Sequence, residues 1–384
     1  MRLHRRCVTL VTSAHARAIS PTIASSLRVV ADSHSSQSFR NCWAQGVIDV
    51  LYSRRAIAST SQFGRLGIPD LTNFSLAGLF ILLQLFQLFI LPIYLLPKES
   101  RWEYLVIPLA FTITPLWALL HEAIHGVFNS SSRLNRVFGR TLAICFGSPF
   151  NILRLTHLSH HKFNRAVTEK GTEIYDPKNV SCFRASIQYF FYICCGLYLL
   201  EVSSIFIFFL PQKMFRRMRC GLLKQGNVQE KWLAAQFMDE HVVRQTQIDG
   251  LVICVILVLS ACCFGQHWLI FAALLMLRTF LVSFHDNVYH YGTPLGVTVS
   301  GHNLFMPRSI SQLVLNFNLH RIHHRYPNVP WTQLPEYFVR QSEVYDQHFL
   351  AAALNQLRGP IAATDTPAQS QAVRNRNILL QTLP

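Results

Sequence analysis

Residues 78–96 read GLFILLQLFQLFILPIYLL, and residues 102–126 read WEYLVIPLAFTITPLWALLHEAIHG. The first run, counted from about Phe74 to Leu96, is long enough to cross roughly 30 Å of hydrocarbon as a helix. The polar link from Lys98 to Arg101 turns the chain back. The second run, from about Trp102 to Leu120, leads directly into His121. Pro108 and Pro115 are tolerable in a membrane helix, where neighbouring groups satisfy the freed carbonyls. The pair predicts a helical hairpin whose returning arm ends on a histidine motif.

The rest of the chain extends this pattern. Residues 184–211 are apolar, 212–248 polar and amphipathic, and 250–285 apolar again with an interruption at Gly265–Gln266–His267. The last region is about twice one span, which predicts a second hairpin with arms 250–264 and 268–285, the first arm short for a full crossing. Apolar residues make up 51% of the 384-residue chain and charged residues 14%, against about 25% charged in soluble domains. Much of this surface therefore need not face water, and the fold class expected is all-α integral membrane.

The formal net charge is +16. Its basic residues cluster beside the apolar runs, as in Arg54, Arg55 and Arg65, or Lys213, Arg216, Arg217 and Arg219. Anionic lipid headgroups are the expected partner. Nucleic acid is not, since no zinc finger, phosphate loop or basic–aromatic stripe is present. The same bias puts the N-terminal side in the cytoplasm. Two crossings then return His121 to that side, so 184–211 is expected to enter the membrane and return, or to lie along it. Ten cysteines include Cys194–Cys195 and Cys262–Cys263 inside apolar runs and no CxxC pair, so they read as small hydrophobes. Residues 1–60 form a variable N-terminal tail. Its first part is rich in Ser, Ala and Arg and suits targeting or disorder. Residues 359–384 read as a flexible C-terminal tail.

Seventeen histidines are present, and ten fall in four tight groups. His121 and His125 form HxxxH. His157, His160 and His161 form HxxHH, and His320, His323 and His324 repeat it. His285 and His290 end the last apolar run. Residues i and i+4 share a helix face, so His121 and His125 can address one ion. Each HxxHH helix is expected to turn three imidazoles toward one volume. Two such helices and an HxxxH supply eight nitrogens, more than one ion needs, which implies two ions. Imidazole suits iron, zinc, copper and nickel; a carboxylate-poor site beside hydrocarbon favours a redox metal. Glu122 and Asp286 each follow a candidate ligand and could accept the other ring N–H of a ligating histidine. His121–His125 also satisfies the zinc-hydrolase pattern HExxH. That rival needs a further ligand and leaves both HxxHH groups unexplained.

HEAIHG at 121–126, RLTHLSHH at 154–161 and NFNLHRIHHRYPNVPWTQLP at 316–335 resemble the membrane fatty acid desaturase/hydroxylase superfamily. The third is the most specific, with Pro327, Pro330, Trp331 and Pro335 after its histidines. The resemblance implies a desaturase domain over 70–340, with helical hairpins beneath a cytoplasmic histidine-rich di-iron cap. It also implies an oxidoreductase that acts on paired donors and reduces molecular oxygen. Two iron ions (Fe2+/Fe3+) would be held by His121, His125, His157, His160, His161, His320, His323 and His324. DNVYHYGTP at 286–294 resembles a further ligand segment and adds His290, with His285 or Asn287 as weaker candidates. Electrons would come from ferredoxin or cytochrome b5 through a reductase; no fused cytochrome b5 domain is visible. The reaction expected is desaturation of a lipid acyl chain. Alternatives are a hydroxylase or ketolase of a lipid, carotenoid or acyl-like metabolite, and a non-enzymatic membrane protein with a structural metal.

Overall fold

Helix Asp70–Leu95 (α1) starts one residue after Pro69 and loosens into a π-helix from Phe86, a stretch that contains Pro92. A computed structural model describes residues 67–166 and 171–365, and its regular secondary structure is almost wholly helical. The expected N-terminal tail lies outside the described residues, as do 366–384.

α1 and Ser100–His125 (α2) form the first hairpin. Gly126 ends α2 at φ 79°, the left-handed turn that glycine adopts without strain. Ser132–Phe146 (α3) and Phe150–Phe163 (α4) follow. Cys182–Phe208 (α5) is one continuous helix, so the reversal expected within 184–211 does not occur. Its apolar run carries no glycine–proline break able to turn the chain, and a local π-turn at Tyr192–Gly196 absorbs the irregularity. Gln212–Gln225 (α6) and Val228–Gln236 (α7) lie beyond it. The second hairpin is Glu240–Phe264 (α8) and Trp268–Val288 (α9), and Gly265 at φ 47° marks the break. α8 begins ten residues before the expected 250, because its first turns are polar but helical and capped by Asp239; the arm is not short.

The far ends of both hairpins meet in an apolar cluster of Leu88, Leu91, Val106, Leu109, Phe264 and Leu274. At the other end Leu116, Leu119, Phe146, Phe150, Tyr289 and Phe317 belong to the larger core, directly under the histidines. The outer faces of α1, α5 and α8 expose Leu82, Ile187, Phe206 and Val258. Exposed apolar faces on helices of this length fit lipid contact, and four helical segments are long and apolar enough to cross a membrane.

Two polar ties cross the bundle. Arg278 on α9 donates to the carbonyls of Cys145 and Phe146, which lie at the end of α3. Asp249 on α8, fully buried, pairs with Arg140 on α3. Beyond α9 come Leu304–Phe305 (β2), Arg308–Leu313 (α10), His320–Arg325 (α11), Leu334–Arg340 (α12), Gln347–His348 (β3) and Phe349–Asn355 (α13). β2 pairs in parallel with β3. Ile174–Tyr175 (β1) pairs in parallel with Ile361–Ala362 (β4). Residues 359–365, expected at the start of a loose tail, are therefore held by backbone hydrogen bonds to Glu173 and Tyr175.

Candidate metal centre

Nine imidazoles gather where α2, α4, α11 and the turn after α9 converge. They form two groups: His121, His125, His157, His161 and His323, and His160, His290, His320 and His324. Within each group one nitrogen per ring lies within 4.8 Å of all the others.

Helix geometry explains the partition. At about 100° per residue, positions i and i+4 stand about 40° apart, while neighbours i+3 and i+4 diverge by about 100°. His157 and His161 therefore share one group and His160 leaves for the other. On α11 the roles exchange: His320 and His324 share the second group, and His323 crosses to the first. The expectation that each HxxHH turns three rings toward one volume is corrected accordingly. α11 ends at Arg325, where Pro327 disfavours further helix at Tyr326.

The nitrogen spacing is informative. His157 Nε2 faces His125 Nε2 at 2.9 Å and His161 Nε2 at 3.0 Å, and His161 Nε2 faces His323 Nε2 at 3.0 Å. In the second group His290 Nε2 faces His160 at 3.0 Å and His320 at 2.9 Å, and His320 faces His324 at 3.1 Å. A ring nitrogen carries either one proton or one in-plane lone pair, so His157 and His290 cannot each serve two in-plane neighbours. His121 Nε2 is buried without any hydrogen-bond partner among the described residues. Lone pairs converging on a point are what a cation requires. With metal–nitrogen bonds of about 2.1 Å, right-angle neighbours would stand about 3.0 Å apart and opposite ones about 4.2 Å, whereas a tetrahedral ion would spread neighbours to about 3.4 Å. The observed spacing fits the right-angle arrangement, and the first group offers five nitrogens where a tetrahedral ion takes four.

The rings are suited to metal in their charge state as well. Burial, reinforced by neighbouring histidines, holds His157, His290, His320, His323 and His324 well below the usual histidine range. Burial, and then the Arg165 guanidinium, lowers His160 to about 4; burial and His160 lower His161 to about 3. All seven are neutral at pH 7, with free lone pairs. These groups could bind metal ions.

His285 and Asn287, the weaker candidates, belong to neither group. His285 Nε2 faces the Tyr289 hydroxyl at 3.0 Å. Asn287 donates to Tyr189 and Gln356 and accepts from Thr172. Glu122 is not on a histidine either: its carboxylate accepts from the Trp331 backbone N–H at 3.0 Å, because it points about 100° away from His121. It thus ties the first histidine pair to the PNVPW turn and is not placed as the base of a zinc hydrolase. Asp286 lines a cavity of about 20 Å³ with Thr114, Trp117, Glu201 and His285. Nδ1 of His290, His320 and His324 meets no hydrogen-bond partner among the described residues.

Several residues around the rings carry no sequence signal. Tyr289, fully buried, stacks on His320 at 4.8 Å. Phe317 packs between His121 and His320, and Trp117 lies against His121 and His157. Asn303 accepts from the backbone N–H of Arg321 and of Ile322, capping α11 from a distant segment. Arg321 in turn holds Glu343 and Asp346.

Neither a comparison with curated proteins nor one with solved structures gives a match. A family model described as fatty acid desaturase matches residues 100–352, more than half of the chain. The matched region contains every histidine of both groups and three of the four segments long and apolar enough to cross a membrane. The chain belongs to the fatty acid desaturase family.

Proposed function

We propose that this protein is an oxygen-dependent di-iron desaturase that introduces a double bond into a lipid acyl chain. The observation that carries the reading is the pair of adjacent all-imidazole pockets at one end of long apolar helices. Membership of the family gives oxidoreductase chemistry of the desaturase–hydroxylase type. Five nitrogens in one group and right-angle spacing in both favour a six-coordinate redox metal over tetrahedral zinc. Iron at these positions would supply one-electron chemistry toward molecular oxygen. His121, His125, His157, His161 and His323 would hold one ion, and His160, His290, His320 and His324 the other.

The remaining residues shape the site. Trp117, Phe317 and Tyr289 pack against His121, His157 and His320. α2, α5 and α9 lead from the exposed apolar faces to the rings and suit an acyl chain delivered from the bilayer. Removing two hydrogens while reducing oxygen to two waters consumes two electrons and two protons. A ferredoxin or cytochrome b5 with its reductase is the proposed electron source. The basic residues ahead of α1 favour a cytoplasmic position for the histidine cap.

Detergent-purified protein should contain two iron atoms per chain by elemental analysis. With a reducing system and oxygen, the product should weigh two mass units less than the substrate. A gain of sixteen would make the enzyme a hydroxylase. Zinc alone, with no oxygen uptake after iron loading, would sink the di-iron reading.

A further inference from the structure

α6 differs from the spans that precede it. None of its residues is buried. At about 100° per residue, Lys213, Arg216, Arg217 and Lys224 fall on one side, and Met214, Phe215, Met218 and Leu222 on the opposite side. Met214, Met218 and Leu222 are exposed. Phe215 packs on Phe208, the last residue of α5, with ring centroids 5.4 Å apart. Arg219 donates to the Phe237 carbonyl at 2.9 Å. The helix is thus pinned at the very end of an apolar span, with a cationic face and an exposed apolar face.

No Asp or Glu occurs between Glu201 and Glu230, a stretch that holds five basic residues. Among the described residues none of the four cations on the basic side pairs with a carboxylate. Gln212, Lys213, Arg216, Arg217 and Cys220 line an open groove of about 510 Å³. A helix with this division of faces lies in the plane of a membrane interface, apolar side toward the acyl chains and cations at the level of the headgroups. Phosphate is the group that three clustered cations with an amide recognise.

We propose that α6 lies in the headgroup layer at the end of α5 and that its groove binds the phosphate of an anionic phospholipid. α7 follows α6, and its Trp232 rests on Phe163 at the end of the helix carrying His157, His160 and His161.

The test uses the full chain in nanodiscs of phosphatidylcholine with a minor share of phosphatidylglycerol, and native mass spectrometry reads which lipid stays bound. Wild type should retain phosphatidylglycerol preferentially. The variant K213Q/R216Q/R217Q should lose that preference by on the order of a hundredfold, about fivefold for each cation. R216K/R217K should keep most of it. Unchanged histidine-site metal content in the Gln variant establishes that it folds. If that variant does not accumulate, wild type decides: retention that falls with added salt supports a headgroup site, and retention indifferent to salt overturns it. Preference surviving in the Gln variant overturns the proposal. So does displacement of the lipid by inorganic phosphate, which would mark a free-anion site, or binding of polyglutamate with no lipid preference, which would mark a protein dock.

Discussion

His160 and His161 are neighbours in the chain and fall in different imidazole groups, as do His323 and His324. The consequence is specific, because substitutions at adjacent positions should empty different pockets. His324→Ala leaves three nitrogens in the second group. His323→Ala leaves four in the first, still a workable set for a divalent ion. We expect both variants to fall below detectable turnover, since each would break the proposed two-iron site. Iron per chain should drop to about one in His324→Ala and less far in His323→Ala, because ion retention follows the ligands left to it. His348, exposed on β3 and outside both groups, should tolerate Ala with turnover near wild type. Comparison at equal protein level in the membrane fraction, with metal analysis alongside, separates ligand loss from misfolding. Near-normal turnover and normal iron in His324→Ala would remove it from the ligand set.

Among the elements, the least obvious partnership joins the end of α4 to the turn that carries His290. Asn164 donates to the carbonyls of Thr298 and Ser300. Arg165, in the left-handed region at φ 57°, donates to the His290 carbonyl and pairs with Glu173 at 2.6 Å, both side chains 1% exposed. Glu173 also accepts from Gly292 N–H. A buried pair of this kind sets geometry more than it adds stability, but breaking it leaves a charge uncompensated, at a cost of about 3–5 kcal/mol. Glu173→Gln should therefore lower the unfolding midpoint and release the ion nearest His290 first, so that iron falls toward one per chain while the five-nitrogen group stays filled. Loss of both ions in parallel would show that the brace acts on the whole fold. None of this was legible beforehand: Arg165 and Glu173 are ordinary residues in a polar stretch, and two-residue strands such as β1 and β4 have no period to detect. The spans were legible because apolar runs of that length have few other uses, and the break at Gly265 because glycine interrupts one. The start of α8 was hidden by its polar first turns. The histidines announced themselves by i, i+4 spacing, but their sorting into two pockets depended on how α4 and α11 face each other, which spacing within one helix does not determine.

Viewed whole, the molecule draws segments spanning His121 to His324 onto two points, and the ions at those points are what would hold α2, α4, α11 and the His290 turn together. Ion binding to a site that exists only in the folded chain adds directly to folding free energy; an ion at a thousand times its dissociation constant contributes about 4 kcal/mol. Stripping the metal with a chelator should lower the thermal midpoint in detergent by several degrees. The pH response follows from the lowered ring pKa values. Free histidine titrates near 6.5, whereas His160 and His161 titrate at about 4 and about 3 in the fold. As the medium is acidified, the unfolded chain takes up protons first, so these residues favour the fold fully above about pH 6.5 and progressively less down to about pH 4. Chelated protein should therefore lose stability steadily across that window. Loaded protein should start higher and converge on the chelated curve at the acid end, where protons have displaced the ions from the same nitrogens. Melting curves of the two forms between neutral pH and pH 4 check this. Superimposable curves at every pH would mean that the imidazole pockets close without metal and that the ions play no part in holding the four segments together.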